Sequence, residues 1–305
     1  MGKYVIKYKK VDLSDKKWME LLITMAKSSG SHINFTNIFA WSQFFRYRVA
    51  RINDFLVVKG RLQNGEHYYF YPAGKGDPKT IIEILKEDAA ECEHEFLLLG
   101  LSLENANELE RMIPESFEYQ EMRDSFDYVY ILEKLITLSG KKLHSKRNHI
   151  NRFKENNVWS FEQISSENLT ECWEMNELWC KENRCKEDKL LAIEDCAVQR
   201  CFNNFTALGL EGGLIRSGGR VIAYTMGEKL NSTTYIIHIE KAFSKIQGAY
   251  QIINREFAFF IKENHPQLIY VNREEDMGDE GLRRAKLSYQ PDKYEEKFMA
   301  KYILD

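Results

Sequence analysis

The sequence predicts an α/β (α+β) protein made of two halves of similar architecture, and three observations support this. The 305 residues are about twice a typical single-domain length. Stripes of apolar residues at helical spacing alternate with short β-rich runs along the whole chain. Asn64-Gly65 and Gly218-Gly219 each separate two β-rich runs and are typical of hairpin turns. Each half is therefore expected to form a mixed, mostly antiparallel sheet covered by helices.

In the first half, the hydrophobic pattern predicts five strands and four helices. Ser14 is the expected N-cap of the first helix, and Pro78 is expected at the first position of the third. The predicted strands are 4–11, 55–61, 67–71, 95–101 and 128–132, and the predicted helices are 14–27, 34–47, one from 78 onward, and 104–112.

The second half is expected to repeat this order. Its clearest helix carries the stripe Ala249, Ile253, Phe257 and Ile261. The predicted strands are 158–164, 211–216, 220–230, 235–239 and 268–272, and the predicted helices are 168–182, 192–205, 247–263 and 281–287. A charged segment near 133–157 indicates the boundary, which gives domains 1–135 and 136–305, with the active cleft in the second.

Composition indicates a globular protein of the cytoplasm. The chain is 44% hydrophobic and 29% charged, with a net charge of −3. It contains no apolar run of about 18–20 residues, and its start lacks the apolar core of a signal peptide. The six cysteines form no C-x-x-C pair, so we expect them to be reduced and to pack in the interior rather than bind metal.

The segment 141–154 carries six Lys or Arg residues, two His and no acidic residue. Such a cluster can neutralise phosphates, although a solvated helix joining two domains has the same composition. Arg147 and Asn151 share one face of a helix. The donor-binding candidates in this segment are Lys146, Arg147, Asn148 and Asn151.

The segment 272–286 follows a predicted strand and precedes a helix, the position at which open α/β sheets bind ligands. Its cations can hold a phosphate or carboxylate, and its acids can accept protons or bind an ammonium group. A capped surface loop with mutually compensating charges is the alternative. The candidates here are Arg273, Glu274, Asp276, Gly278, Arg283 and Lys286.

Three further positions are candidates outside these two segments. Gly248 opens a predicted helix whose free amides can bind an anion, although a plain helix start is the simpler interpretation. His238 is a candidate base or a satisfied core histidine, and Tyr289 is a candidate proton donor or a purely structural tyrosine. The sequence has no G-x-S-x-G, Walker A, G-x-G-x-x-G or H-E-x-x-H pattern, so nothing supports a serine hydrolase, a P-loop NTPase or a common zinc peptidase.

Long motifs resemble those of bacterial proteins related to the C-terminal domain of phosphatidylglycerol lysyltransferase. They are Gly140–Phe153, Val271–Gly278, Gly281-Leu282-Arg283, Lys286–Pro291, Phe35-Thr36-Asn37 with Trp41, and Gly248–Gln251 with Asn254 and Phe257. The resemblance implies two tandem acetyltransferase-like (GNAT) domains, as in the Fem-type peptidoglycan aminoacyltransferases. Both groups use aminoacyl-tRNA as donor. The membrane-spanning half of the lipid-modifying enzymes is absent from this sequence, which disfavours a lipid acceptor. Lys245, Gly248 and Tyr250 fit the acetyl-CoA loop pattern poorly.

The function expected from these features is acyl or aminoacyl transfer, with acyl-CoA or aminoacyl-tRNA as donor and a small amine, a hydroxyl compound or a peptide as acceptor. Backbone N–H groups at 238–240 are candidate oxyanion donors, and Glu240, Glu274 or Asp276 is the candidate base. The resemblance adds Asn254 to the donor site. We expect Arg147 and Arg273 to face one shared hollow. A catalytically inactive scaffold and an RNA-binding module are the alternatives.

Overall fold

The computed structural model describes residues 5–303, in which the chain forms fifteen strands and eleven α-helices. The strands are β1 Lys9–Lys10, β2 Arg48–Ile52, β3 Phe55–Arg61, β4 His67–Phe70, β5 Ala73–Gly74, β6 Leu97–Leu101, β7 Phe117–Glu121, β8 Asp127–Ile131, β9 Trp159–Gln163, β10 Glu211–Ser217, β11 Arg220–Lys229, β12 Thr234–Ala242, β13 Tyr270–Asn272, β14 Lys293–Glu295 and β15 Phe298–Tyr302. The helices are α1 Lys16–Ala26, α2 Phe35–Trp41, α3 Lys79–Glu91, α4 Leu103–Met112, α5 Leu132–Thr137, α6 His144–Asn156, α7 Leu169–Glu182, α8 Lys189–Asn203, α9 Phe205–Leu208, α10 Ala249–Asn264 and α11 Glu280–Leu287. Within residues 5–303, none of these helices has the length and apolarity required to cross a lipid bilayer.

The chain divides into two compact units: Met1–Asp127 with Glu295–Asp305, and Tyr128–Tyr294. The sheet of the first unit has the order β1-β2-β3-β4-β6-β15-β7, with β5 paired to β3. Its only parallel pair among the described strands is β4 with β6. The apolar face of α3, with Ile81, Ile82 and Leu85, is buried in the same core as Tyr69 and Leu98 of the sheet.

The sheet of the second unit has the order β14-β8-β13-β12-β11-β10-β9. Its core is formed around α10, whose Ile253, Phe257 and Ile261 are fully buried together with Tyr235 of β12. Gly248 is the N-cap of α10, where φ is +88° and an added Cβ would lie 2.5 Å from a backbone carbonyl of α6. A glycine is therefore required there by the close approach of two helices.

The second sheet opens between β12 and β13, and this opening positions the site described below. The two strands run parallel for three residue pairs, from Thr234–Tyr270 to Ile236–Asn272. β13 then ends while β12 continues to Ala242. Along the β11–β12 ladder, Met226 pairs with Ile239 and the next residue, Gly227, pairs with Ile237. His238 therefore has no partner on β11 and forms a β-bulge.

The predicted mixed α/β architecture is confirmed, and the structure differs from the sequence prediction where pairing is long-range. The predicted boundary was 135/136, whereas the units divide at 127/128 and β15 pairs with β6 and β7 in the first unit. Strands β2, β5, β7, β14 and β15 were not predicted. Helix α2 ends at Trp41, the first strand is reduced to Lys9–Lys10, and Tyr4, at which that strand was predicted to start, lies outside the described residues.

One prediction about the cysteines is wrong. Cys180 and Cys185 form a disulfide, with Cα atoms 5.0 Å apart, because the turn after α7 brings the Cys185 backbone N–H to the Cys180 carbonyl. Cys172 and Cys201 are buried free thiols, as expected for packing cysteines, and burial raises the pKa of each to about 12. Cys92 and Cys196 are free and exposed.

Candidate functional site

The opening between β12 and β13 is closed on one side by an ion pair. Arg273 is the first residue after β13, and Glu240 lies on the part of β12 that extends beyond its partner. The Arg273 Nη2 donates to Glu240 Oε1 at 2.9 Å, and both side chains are largely buried. The pair thus connects the two strands where their backbone pairing has ended.

Asn254, on the inner face of α10, completes this group. Its Nδ2 donates to Glu240 Oε2 at 3.1 Å, and because a carboxylate only accepts, this contact assigns the amide orientation. Two buried atoms flank Glu240 with no hydrogen-bond partner among the described residues: Nη1 of Arg273 and Oδ1 of Asn254. The site thus presents one unsatisfied donor and one unsatisfied acceptor, which is costly without a ligand.

Aromatic rings and a second cation surround Arg273. Its guanidinium lies 5.6 Å from the ring centroid of Tyr130 and 4.9 Å from that of Tyr289, and Lys146 Nζ lies 4.3 Å from the Tyr289 ring. Burial opposes the charge of Arg273, but Glu240 and the two phenols together raise its pKa. Burial, and then repulsion from Arg273, lower the pKa of Lys146. Two cations facing one carboxylate favour an anionic ligand.

Tyr289 is suited to hold a proton at this position. Tyr289 is only 6% exposed, and this burial raises the pKa of its phenol well above the usual value. The phenol is therefore protonated at neutral pH and is available as a donor.

His238, the residue at the bulge, joins three segments. Its Nδ1 lies 2.8 Å from Glu274 Oε1 in the loop after β13, and its Nε2 lies 3.0 Å from Glu228 Oε1 on β11. Burial lowers the pKa of His238, but the two carboxylates prevail and raise it to about 9. His238 is therefore a buried imidazolium, which is poorly suited to accept a proton. Glu228 was not found from the sequence, because it lies on a strand with no recognisable motif.

The loop after β13 is held by buried polar contacts. Asp276 is fully buried and accepts from Tyr128 at 2.5 Å, from Arg283 Nε and Nη2 at 2.8 Å each, and from the Gly278 N–H at 2.9 Å. These bonds outweigh burial and lower the pKa of Asp276 to about 2. Lys286 donates to the backbone carbonyls of Arg273, Glu274 and Glu275. The contacts of Asp276, Gly278, Arg283 and Lys286 therefore fix the loop that carries Arg273.

The basic segment reaches the site through Lys146. The neighbouring Arg147 donates to the carbonyls of Leu138 and Gly140, just beyond the last turn of α5. The Asn148 amide contacts His144 of the same helix at 3.4 Å, and Asn151 is exposed. Of the predicted site residues, the structure brings together Lys146, Glu240, Asn254, Arg273 and Tyr289. Tyr130 joins them; the sequence placed it in a strand without a site role.

Comparison with known proteins agrees with this architecture. Residues 24–301 match the family described as phosphatidylglycerol lysyltransferase, C-terminal. A conserved protein of unknown function from Bacteroides thetaiotaomicron is 38% identical, with a TM-score of 0.92 over 98% of this chain and 100% of that chain. A curated relative, an uncharacterized protein of Mycoplasmoides gallisepticum, is 25% identical over 190 residues, which span 59% of this chain and only 57% of that protein.

Two more distant structures share the fold. L-PGS from Bacillus licheniformis has a TM-score of 0.61 at 14% identity, over 93% of this chain and 90% of that chain. FemX has a TM-score of 0.57 at 7% identity, over 98% of each chain. The predicted α/β fold class, with a mixed sheet and helices in each of two units, is confirmed. The resemblance that the sequence motifs indicated is also confirmed. Because the family match covers most of its residues, this chain belongs to the phosphatidylglycerol lysyltransferase C-terminal family.

Proposed function

We propose that the second unit transfers an activated aminoacyl group to an amine or hydroxyl acceptor, at the opening between β12 and β13. The observation that carries this proposal is the pair of unsatisfied buried atoms beside Glu240, Arg273 Nη1 and Asn254 Oδ1. Membership of a family named for lysyl transfer supports the same class of reaction.

The polarity of these two atoms favours an aminoacyl over a plain acyl group. Arg273 Nη1 can only donate and Asn254 Oδ1 can only accept, so a matching ligand carries an acceptor and a donor close together. In an aminoacyl ester, the ester oxygens accept from the arginine and the α-ammonium group donates to the asparagine. The acyl chain of acetyl-CoA has no donor for Asn254.

The exposed face of the basic segment supports a polyanionic carrier for that group. Lys141, Lys142, Arg152 and Lys154 are exposed, while Lys146 on the same segment turns to the site. An RNA carrier would place phosphates along these residues and its aminoacyl end beyond Lys146. A coenzyme A thioester has too few phosphates to use this whole face.

In the proposed reaction, the acceptor nitrogen or oxygen attacks the carbonyl carbon of the aminoacyl ester. A C–N or C–O bond forms, the bond from that carbon to the ribose oxygen breaks, and the acceptor proton ends on the released ribose hydroxyl. Backbone N–H groups at the His238 bulge lie outside the regular ladder and are the proposed oxyanion donors. Glu240 is the proposed acceptor of the proton, and the protonated Tyr289 the proposed donor to the leaving oxygen.

The test is transfer from a panel of labelled aminoacyl-tRNAs, with acetyl-CoA and a long-chain acyl-CoA as alternatives. Hydroxylamine serves as a surrogate amine acceptor, and the hydroxamate product is measured. We expect product from at least one aminoacyl-tRNA, a reduction of at least 10-fold in Arg273→Gln, and no change in Arg284→Gln, an exposed arginine of α11. Transfer from an acyl-CoA alone, or equal rates in both variants, would reject the proposal. Binding of tRNA without turnover would favour an RNA-binding module.

A further inference from the structure

Three metal-ligand side chains meet at the C-terminal end of α3 in the first unit. Asp88 lies in the last turn of α3, Cys92 follows the helix end, and His94 is two residues further. One ligand atom from each lies within 4.8 Å of the others. Cys92 is exposed, so the cluster is open to solvent.

The helix end itself gives this arrangement. Glu93 has a left-handed backbone with φ of 55°, and the His94 N–H donates to the Ala89 carbonyl at 3.1 Å. This 6→1 bond is the Schellman closure, which reverses the chain after a helix. It returns the His94 imidazole to the side of α3 that carries Asp88 and Cys92.

The imidazole is oriented so that one ring nitrogen is left for a metal. His94 Nδ1 lies 2.9 Å from the Glu95 carbonyl, which only accepts, so Nδ1 donates there and Nε2 is the nitrogen that faces the cluster. That Nε2 lies 3.5 Å from the Tyr69 hydroxyl, whose hydrogen is donated to Asp88 at 2.5 Å. The tyrosine thus orients the carboxylate and leaves the lone pair of Nε2 without a hydrogen.

The cluster already stabilises a cation. The Lys59 ammonium lies 2.8 Å from Asp88 Oδ2 and 3.6 Å from Cys92 Sγ. It also lies 5.3 Å from the ring centroid of Tyr69 and 5.6 Å from that of Tyr8. A carboxylate, a sulfur and two aromatic faces therefore surround one cation position.

We propose that Asp88, Cys92 and His94 form a binding site for a thiophilic divalent cation of the zinc class, which replaces the Lys59 ammonium. Binding removes the thiol proton of Cys92 to solvent, and the flexible lysine side chain moves away. Tetrahedral zinc bonded at about 2.0–2.3 Å requires ligand atoms about 3.3–3.8 Å apart, so side-chain shifts of about 1 Å close the site. Thiolate and imidazole ligands favour zinc over magnesium or calcium, and solvent fills the fourth position.

The experiment is a titration of the full chain with Zn²⁺, with the Cys180–Cys185 disulfide intact and Cys92 as a free thiol. A parallel titration with Co²⁺ is a spectroscopic probe of thiolate ligation. We expect one equivalent of Zn²⁺ per chain, release of a proton, and a thiolate-to-cobalt charge-transfer band. Cys92→Ser and His94→Gln are each expected to weaken binding by at least 10-fold and to lose or shift that band. Cys196→Ser, which removes the other exposed thiol, is the matched control and should change neither the Zn²⁺ affinity nor the charge-transfer band.

A fourth variant distinguishes loss of ligands from loss of fold. Lys59→Met removes the competing ammonium and is expected to tighten Zn²⁺ binding severalfold, a change that unfolding cannot produce. Unchanged affinity in Cys92→Ser and His94→Gln would overturn the proposal. So would weaker binding in Lys59→Met, or uptake of less than one equivalent by the wild-type chain.

Discussion

Asp276 and Arg283 provide a sharp test, because the sequence makes Asp276 a candidate base and Arg283 a candidate donor-binding residue, whereas in the structure their contacts hold a loop. The pKa of Asp276 is lowered from 3.8 to about 2 by Arg283, Tyr128 and the Gly278 N–H. This shift corresponds to about 2 kcal/mol of folding free energy at pH 7. Asp276→Asn is therefore expected to lower the free energy of unfolding by about that amount.

The partner substitution is expected to cost more than the loss of one contact. Arg283→Gln removes the guanidinium that donates to both oxygens of the fully buried Asp276 carboxylate. We expect a loss of about 3 kcal/mol, the low end of the range for buried pairs, because Arg283 is partly exposed. In the double variant the losses should not add, with a coupling of about 1–2 kcal/mol.

Urea unfolding of the wild type, the two single variants, the double variant and a control variant at pH 7 and pH 4 measures these free energies. Because the pKa is depressed in the folded state, its stabilisation is present above about pH 4 and is lost as the pH falls toward about 2. The loss of unfolding free energy in Asp276→Asn should therefore be smaller at pH 4 than at pH 7. Glu177→Gln, which replaces an exposed carboxylate of α7, should leave the free energy of unfolding unchanged at both pH values. Losses below about 0.5 kcal/mol in both single variants, with transfer abolished, would refute the loop-holding role and restore a catalytic one.

Three other predictions concern stability and its pH dependence. Gly248→Ala should cost at least about 2 kcal/mol in thermal unfolding, from left-handed strain and from overlap with α6. Gly281→Ala should cost much less, because Gly281 is not left-handed and its nearest neighbour is a side-chain oxygen at 3.1 Å. Asp127→Ala should cost about 3–5 kcal/mol in urea unfolding, because it removes the carboxylate that lies 2.6 Å from the buried Lys297 ammonium, and adding Lys297→Met should recover most of that loss. A fully additive double variant would contradict this. The pKa of His238 is raised to about 9, so the stability that its charged form contributes is complete below about pH 6.5 and is lost as the pH rises through 9. His238→Gln should therefore flatten the fall in the free energy of unfolding over this range. An identical pH profile in the wild type and the variant would contradict the assignment.

Elements set by local sequence could be predicted well. The stripe on α10 and the Gly218-Gly219 turn, where φ is 57° and 78°, depend on neighbouring residues only. Strand β15 could not be predicted, because Phe298–Tyr302 is a strand only through pairing with β6 and β7. The predicted domain boundary missed the return of this strand for the same reason.

The site shows the same division between local and long-range information. Arg273 and Asn254 could be found because they lie in motifs that resemble those of the family, and Glu240 because it directly follows the predicted strand 235–239. Arg147 and Lys146 are adjacent on α6, and nothing in the sequence decides which of them turns toward Tyr289. The roles of Asp276 and Lys286 depended on which buried groups meet them in three dimensions, as did the pairing of Cys180 with Cys185.

The central claim is that the opening beside Glu240 binds an aminoacyl group through Arg273 and Asn254. The direct measurement is the affinity of a hydrolysis-resistant aminoacyl-adenosine amide for the wild-type chain, Arg273→Gln and Asn254→Ala, with the deaminated acyl-adenosine amide as matched ligand. We expect each variant to weaken binding of the aminoacyl compound by about 10–100-fold, or about 1.4–2.8 kcal/mol, and Asn254→Ala to leave the deaminated compound unaffected. Equal affinities across the three proteins, or no preference for the amino group in the wild type, would contradict the claim.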